Sequence, residues 1–218
     1  MRQHVNPLSQ FFQLPLSLPS RSQIFRESHY PIHLDIGSAK GEFLIELASK
    51  YPMWNFLGLE IREPLVISSE RKRKKLELNN LKFLFCNVNI SLDQWLRDLE
   101  QDQLKRVSIQ FPDPWFKRKH FKRRVLKTSL LNSIARYIAK DGELFIQSDI
   151  FELIKSMTDT IDNSIYFDRK IIKGLKWIDK NPYNVFTDRE LFVFKQNLPI
   201  YRAMYIRNRK VFIKQVNL

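Results

Sequence analysis

From Pro31 onward the chain alternates between two textures. The segments "PIHLDIG", "WNFLGLE", "LKFLFCN", "RVSIQF" and "GELFIQS" are short apolar runs rich in β-branched, leucine and aromatic side chains. Runs of roughly 4 to 8 such residues with little polar alternation predict strands buried on both faces. Between them "GEFLIELASKY", "EPLVISSERKRKKLELN", a stretch at 91–101, a long one near 121–139 and another near 150–163 predict helices. Strands alternating with helices imply right-handed crossovers and a parallel sheet covered on both sides, a doubly wound α/β fold. The tail segments "LPIYRAMYIRN" and "KVFIKQV" predict closing antiparallel strands. Residues 1–25 contain three prolines and no sustained period, so they read as an irregular N-terminal arm, with residues 26–218 forming a single domain.

Composition narrows the partners. The 218 residues carry 37 Lys and Arg against 23 Asp and Glu, a formal net charge of +14. Such an excess favours a polyanion, and nucleic acid ahead of a membrane because no amphipathic anchor is evident. No apolar run approaches the roughly 18 residues that span a bilayer, and no basic segment leads into an apolar one at the start, so the expectation is a soluble cytoplasmic protein without membrane attachment. The single Cys86 and four scattered histidines offer no metal-ligand spacing, and no metal is expected.

Ligands of open α/β sheets sit beyond the carboxyl ends of the strands. Here those ends are polar in series. The first strand ends in Asp35 followed by "GSAKGE", the second in Glu60, the third in Asn87, and the fourth runs into Asp113. Gly37 and Gly41 flank a turn into a helix, where absent side chains let a ligand approach the backbone. A dinucleotide fingerprint from Gly37 needs glycine at 39 and 42; Ala39 and Glu42 stand there, which counts against a dehydrogenase. Glu60 can accept bonds from both hydroxyls of a ribose, and Asn87 can address an adenine edge. A lone strand-end acid is more often a helix cap than a ligand. The ordered series instead favours a cofactor with a nucleoside and a cationic centre.

The stretch "FPDPWFKRKHFKRR" carries the second signal. Pro112 and Pro114 fix their own torsions and restrict their neighbours, which presents Asp113 in a preset direction. Trp115 either offers a stacking face or seals the core. Lys117, Arg118, Lys119, Lys122, Arg123 and Arg124 follow as a dense block suited to phosphates. A second run, "RKRKK" at 71–75, reads first as a solvated helical face.

With "LDIGSAKGEF", "GLEI" and "TDRE" at 187–190 in this order around that stretch, residues 31–207 resemble the tRNA (guanine-N(7))-methyltransferases. The resemblance implies a Rossmann-like class I methyltransferase fold, with S-adenosylmethionine as methyl donor and nitrogen 7 of guanine 46 in the tRNA variable loop as acceptor. It implies that Asp35, Gly37, Glu60, Asn87 and Asp113 line the donor pocket, with Asp113 also at the catalytic position. By the same resemblance Lys117, Asp149, Thr187, Asp188, Arg189 and Glu190 match substrate-binding positions. Ala39 replaces a glycine, Asn87 an aspartate and Arg189 an aromatic that many members carry. Two other readings stay open: a methyltransferase acting on an exocyclic amine, since "DPWF" is similar to an Asp-Pro-Pro-aromatic signature, and a basic RNA-binding module without catalysis. Monomer and homodimer are equally compatible with the sequence.

Overall fold

The computed structural model describes residues 5–171 and 174–212. Among them a seven-stranded sheet has the order β3-β2-β1-β4-β5-β7-β6. Its members are β1 (Ile32–Ile36), β2 (Asn55–Glu60), β3 (Leu81–Phe85), β4 (Leu104–Gln110), β5 (Ile138–Ser148), β6 (Phe167–Arg169) and β7 (Tyr201–Arg207). The pairs from β3 across to β5 are parallel, and β7 runs antiparallel to both β5 and β6. The expected mostly parallel sheet with an antiparallel C-terminal strand is therefore what forms.

The pleat sorts alternate side chains to opposite faces. Leu34, Leu57, Val107 and Leu144 pack with Leu92 and Trp95 of α4 (Val88–Arg97), Leu131 and Ile134 of α5 (Thr128–Tyr137), and Leu153 and Met157 of α6 (Phe151–Asp162). Phe56, Phe83, Phe145 and Met204 face the other way, against Phe43 and Leu47 of α2 (Glu42–Lys50) and Val66 of α3 (Glu63–Lys75). Two dry layers on a central sheet explain why the strands read as continuous apolar runs.

Three expectations change. The long helix near 121–139 is a 3₁₀ segment, Arg118–Arg123, followed by α5 from Thr128. Charge density alone does not break the helix, since Arg71–Lys75 is helical within α3; here Arg124 is tied back to the Pro114 carbonyl and Arg123 to the Trp115 ring. The strand "KVFIKQV" does not form over 210–212, which have no regular structure, and its remainder lies outside the described residues. The β-sheet edge is instead the three-residue β6, too short to read from pattern, while α7 (Asp188–Lys195) occupies the "TDRE" region.

The arm is built onto the domain. It contains a 3₁₀ turn at Gln10–Gln13 and a short α1 (Arg21–Ile24), whose N-terminus is closed by a capping box between Ser20 and Gln23. Trp95 Nε1 donates to Pro19 O at 2.9 Å, Leu16 N donates to Ser91 Oγ at 3.0 Å, and Phe25 is buried in the core.

Candidate active site

The turn after β1 is shaped by two glycines with opposite reasons. A Cβ at Gly41 would stand 2.5 Å from the Phe83 ring, so close approach excludes one; at Gly37, with φ +81°, no atom lies within 4 Å. Gly37 thus presents bare backbone to open space. Between them Ala39 takes φ +49°, a left-handed conformation that costs an L-residue roughly 1 to 2 kcal/mol. Its N–H is fixed by the Glu60 carboxylate at 3.0 Å, which offsets that cost.

Asp35 is buried, and its Oδ1 accepts bonds from Ser108 Oγ at 2.6 Å and Gln110 Nε2 at 3.2 Å. Burial pushes its pKa up to about 6, opposed by those two bonds and assisted by the charge of Glu60. Behind Ser108 stands His33, 3.0 Å from the same hydroxyl, kept neutral because burial lowers its pKa to about 3. Glu60, at the end of β2, is held by Arg62 on both oxygens at 2.9 Å and by the Arg62 N–H at 3.0 Å.

Asn87 caps α4, its Oδ1 accepting from Asn89 N at 3.2 Å. Its Nδ2 donates to two arm carbonyls, Pro7 O at 3.1 Å and Phe12 O at 3.0 Å. Both amide hydrogens are thereby committed, so the side chain is engaged by the arm rather than turned to a base edge.

Asp113 lies in a strained loop. Phe111 and Trp115 on either side have φ of 46° and 47°, values that bulky aromatics adopt only when the surroundings enforce them. The enforcement comes from the basic block folding back: Arg124 Nε donates to Pro114 O at 3.0 Å and the Arg123 guanidinium sits 5.0 Å from the Trp115 ring centre. Arg123 and Arg124 are half-buried, whereas Lys117, Arg118, Lys119 and Lys122 are exposed. Trp115 therefore serves as a stacking face, for an arginine of its own chain.

On the far side, Thr187 caps α7 by accepting from Glu190 N at 3.1 Å, Asp188 pairs with Lys40 at 3.5 Å, and Arg189 is ion-paired to Asp149. Glu190 is fully buried. Arg202 Nη2 donates to one of its oxygens at 2.6 Å; Gln147 Nε2 and Asn181 Nδ2 reach the other at 3.2 and 3.0 Å. Gln147 also donates to Gln110 Oε1 at 2.8 Å, so a buried polar chain crosses the sheet from Asp35 to Glu190. Glu190 supports the site from behind instead of facing it.

One cavity of about 810 Å³ is lined by Asp35, Gly37, Glu60, Asn87, Asp113, Thr187, Asp188 and Arg189. Lys117, Asp149 and Glu190 lie outside its wall. Arg62, Phe11, Phe12, Gln110 and Arg123 line it as well, none of them singled out for this pocket by strand-end reasoning. Arg62 follows a strand-end acid by two residues, a spacing that could have flagged it. The arm residues gave no local signal. The volume falls in the range of small-molecule sites, roughly 300 to 1,000 Å³. Two buried carboxylates suit a ligand with ribose hydroxyls and a cation. The Ser38 hydroxyl in the wall is buried without a partner among the described residues, which further fits a polar ligand. The residues present thus fit S-adenosylmethionine.

Residues 29–203 match the family described as "Putative methyltransferase". A tRNA (guanine-N(7)-)-methyltransferase of Prochlorococcus marinus strain NATL1A is 74% identical over 97% of this chain and 99% of its own length. The enzyme of the same name from strain MIT 9313 is 55% identical over 95% of this chain and 88% of its own. Among solved structures, an antibiotic-resistance methyltransferase named Kmr superimposes with a TM-score of 0.56 at 14% identity, covering 89% of this chain and 95% of that one. An rRNA methylase from Streptococcus thermophilus gives 0.52 at 11% identity, covering 87% and 92%. These two likenesses concern the fold alone.

Proposed function

This chain belongs to the tRNA (guanine-N(7)-)-methyltransferase family, and from that premise we propose how its residues divide the work. It is a methyltransferase that places a methyl group on nitrogen 7 of a tRNA guanine. In our reading the guanine is number 46 of the variable loop, and the working compartment is the cytoplasm, where that substrate is met.

S-adenosylmethionine supplies an electrophilic methyl on a sulfonium. Glu60 accepts the ribose hydroxyls, Asp35 balances the cationic end, and the bare backbone at Gly37 lets the ligand lie close to the turn. Nitrogen 7 of guanine carries no proton, so no general base is needed before attack. Orientation is the main task, and fixing reacting partners in line lowers a barrier by roughly 7 to 11 kcal/mol. Asp113, held in its enforced loop, accepts guanine N–H groups and stabilises the positive charge developing on the purine. Lys117 and its exposed neighbours neutralise backbone phosphates, while Thr187, Asp188 and Arg189 border the substrate side of the cavity. Asp149 orients Arg189, and Glu190 holds the start of α7 in place.

The observation that carries this division is the meeting of Asp35, Glu60 and Asp113 around one cavity beside an exposed basic segment. Incubation with methyl-labelled S-adenosylmethionine and unmodified tRNA, followed by mapping of the labelled nucleoside, tests it. The expected product is 7-methylguanosine in the variable loop. Methyl on an exocyclic amine would give the site to the other chemistry, and donor binding without transfer to any RNA would leave a binding module.

A further inference from the structure

The strand order locates each end of a nucleoside ligand. Asp35 lies in the last pleat of the central β1, Asp113 follows the central β4, Glu60 ends β2, and β3 is the edge strand beyond it. A ligand with its cation at Asp35 and its ribose at Glu60 therefore carries its base over the end of β3, beside Phe85, Cys86 and Asn87. The arm crosses the molecule at that place. Phe11 and Phe12 pack edge to face, with ring centres 5.0 Å apart, and each lies 6.3 Å from Phe85. Both border the cavity, and Phe11 remains 61% exposed. An aromatic left open on the inner side of a cavity is a surface for a flat ligand.

We propose that residues 7–12 form the wall closing the nucleoside end of the donor pocket, with Phe11 and Phe12 as the face against which the purine lies, and with Asn87 as the positioning residue that latches this wall to the sheet. This rests on reading the cavity as the site of S-adenosylmethionine. Asn87 suits the latch because an amide has two hydrogens to give, and the carbonyls of Pro7 and Phe12 take both. A carboxylate in its place has none, and would set its charge against two carbonyl oxygens. It would still cap α4, since Asn and Asp cap helices about equally well. Asn87→Asp thus separates the latch from folding.

The test uses full-length wild type, Asn87→Asp and the double variant Phe11→Ala/Phe12→Ala. Calorimetry measures affinity for S-adenosylhomocysteine and for S-ribosylhomocysteine, which lacks the purine; amide hydrogen exchange of residues 7–19 is followed without ligand. The double variant should lose about tenfold in affinity for S-adenosylhomocysteine, within the range of base–aromatic stacking, and keep its affinity for the purine-free compound. Asn87→Asp should accelerate exchange in the arm and show the same selective loss. Equal affinities in all three proteins, or equal losses for both compounds, would overturn the purine wall; unchanged exchange in Asn87→Asp would overturn the latch. A wild type that binds neither compound would instead overturn the reading of the cavity as a donor site.

Discussion

Glu60 and Arg62 stand two residues apart at the end of β2 and are joined by a two-pronged ion pair, Arg62 Nε on Oε1 and Nη2 on Oε2, each at 2.9 Å. With the N–H groups of Ala39 and Arg62 added, the Glu60 oxygens accept four bonds, all that a carboxylate accommodates. Under the proposed function, ribose hydroxyls bound at Glu60 displace some of them. The Arg62 guanidinium is the movable partner, being partly exposed where Glu60 is not. Its pKa is raised, first by the bond to Glu60 and further by the charges of Glu60 and Asp113.

Replacing Arg62 with Ala leaves a buried carboxylate short of donors, and the ligand-free protein should lose about 1 to 3 kcal/mol of stability. Ribose hydroxyls restore those bonds. The thermal shift produced by S-adenosylhomocysteine should therefore be larger in Arg62→Ala than in wild type. Glu60→Ala should instead weaken the ligand by about 1 to 3 kcal/mol. A smaller shift in Arg62→Ala would mean that Arg62 contacts the ligand itself.

The raised pKa of Asp35 predicts that ligand binding is sensitive to mild acid. Because burial raises its pKa from 3.8 to about 6, its contribution to stability is fully present below 3.8 and is lost as pH rises through 6. The α-ammonium at the amino-acid end of the donor, which S-adenosylhomocysteine keeps although it lacks the sulfonium, favours the ionised form beside it. Affinity for S-adenosylhomocysteine should then fall as pH drops below about 6, with a proton released on binding near pH 5.5 and almost none at pH 8. Calorimetry in buffers of different ionisation enthalpy reads this directly. In Asp35→Asn the proton release should vanish; its persistence would assign the titration elsewhere.

The basic block divides in two by burial. Neutralising the exposed Lys117, Arg118, Lys119 and Lys122 should flatten the salt dependence of tRNA binding, by about 0.7 to 0.9 in the log–log slope for each phosphate the variant no longer neutralises. Ligand binding in the donor cavity should not change. Arg124→Ala should do the opposite, lowering turnover by releasing the loop around Pro114 while leaving the slope within about one phosphate's worth of wild type. Filter binding over a salt series and single-turnover rates separate the two groups.

For Asp113 the prediction concerns chemistry alone. Asp113→Asn should lose on the order of 100-fold or more in single-turnover methyl transfer, as for one preorganised electrostatic contact, while keeping most of its tRNA affinity. Nitrogen 7 has no proton to lose, so with the donor saturating, which keeps Asp35 ionised, the wild-type rate should be flat between about pH 6 and 8. A titration in that window that disappears in the variant would mean proton transfer instead.

Strand-end logic picked out residues that line one cavity, Asp35, Glu60, Asn87 and Asp113, because it needs only local information. Leu57 and Phe56 of one strand are buried under helices on opposite faces of the sheet, as are Leu144 and Phe145 of another, so such strands stand out as apolar runs and the polar residues that end them are conspicuous. What sequence could not convey was pairing across distance. Nothing near Asn87 indicates that its amide is taken by Pro7 and Phe12. Within "TDRE" the adjacent Arg189 and Glu190 turn opposite ways, one to the cavity and one into the core, because neighbours on a helix diverge by about a quarter turn or more. The helix drawn through the basic block failed because Arg123 and Arg124 fold back onto Trp115 and Pro114, a pairing that no local pattern conveys.

The arm's attachment also sets an order of events during synthesis. Residues 7–19 leave the ribosome ahead of the groups that hold them, which lie 75, 76 and 80 residues further along. Until β3 and α4 have emerged, the arm has nothing to dock on, and the Pro7, Phe12 and Pro19 carbonyls lack their donors. Contacts of such long sequence separation form late, after the loop-closure entropy has been met. The arm is thus made before its anchors and docks in one of the later steps.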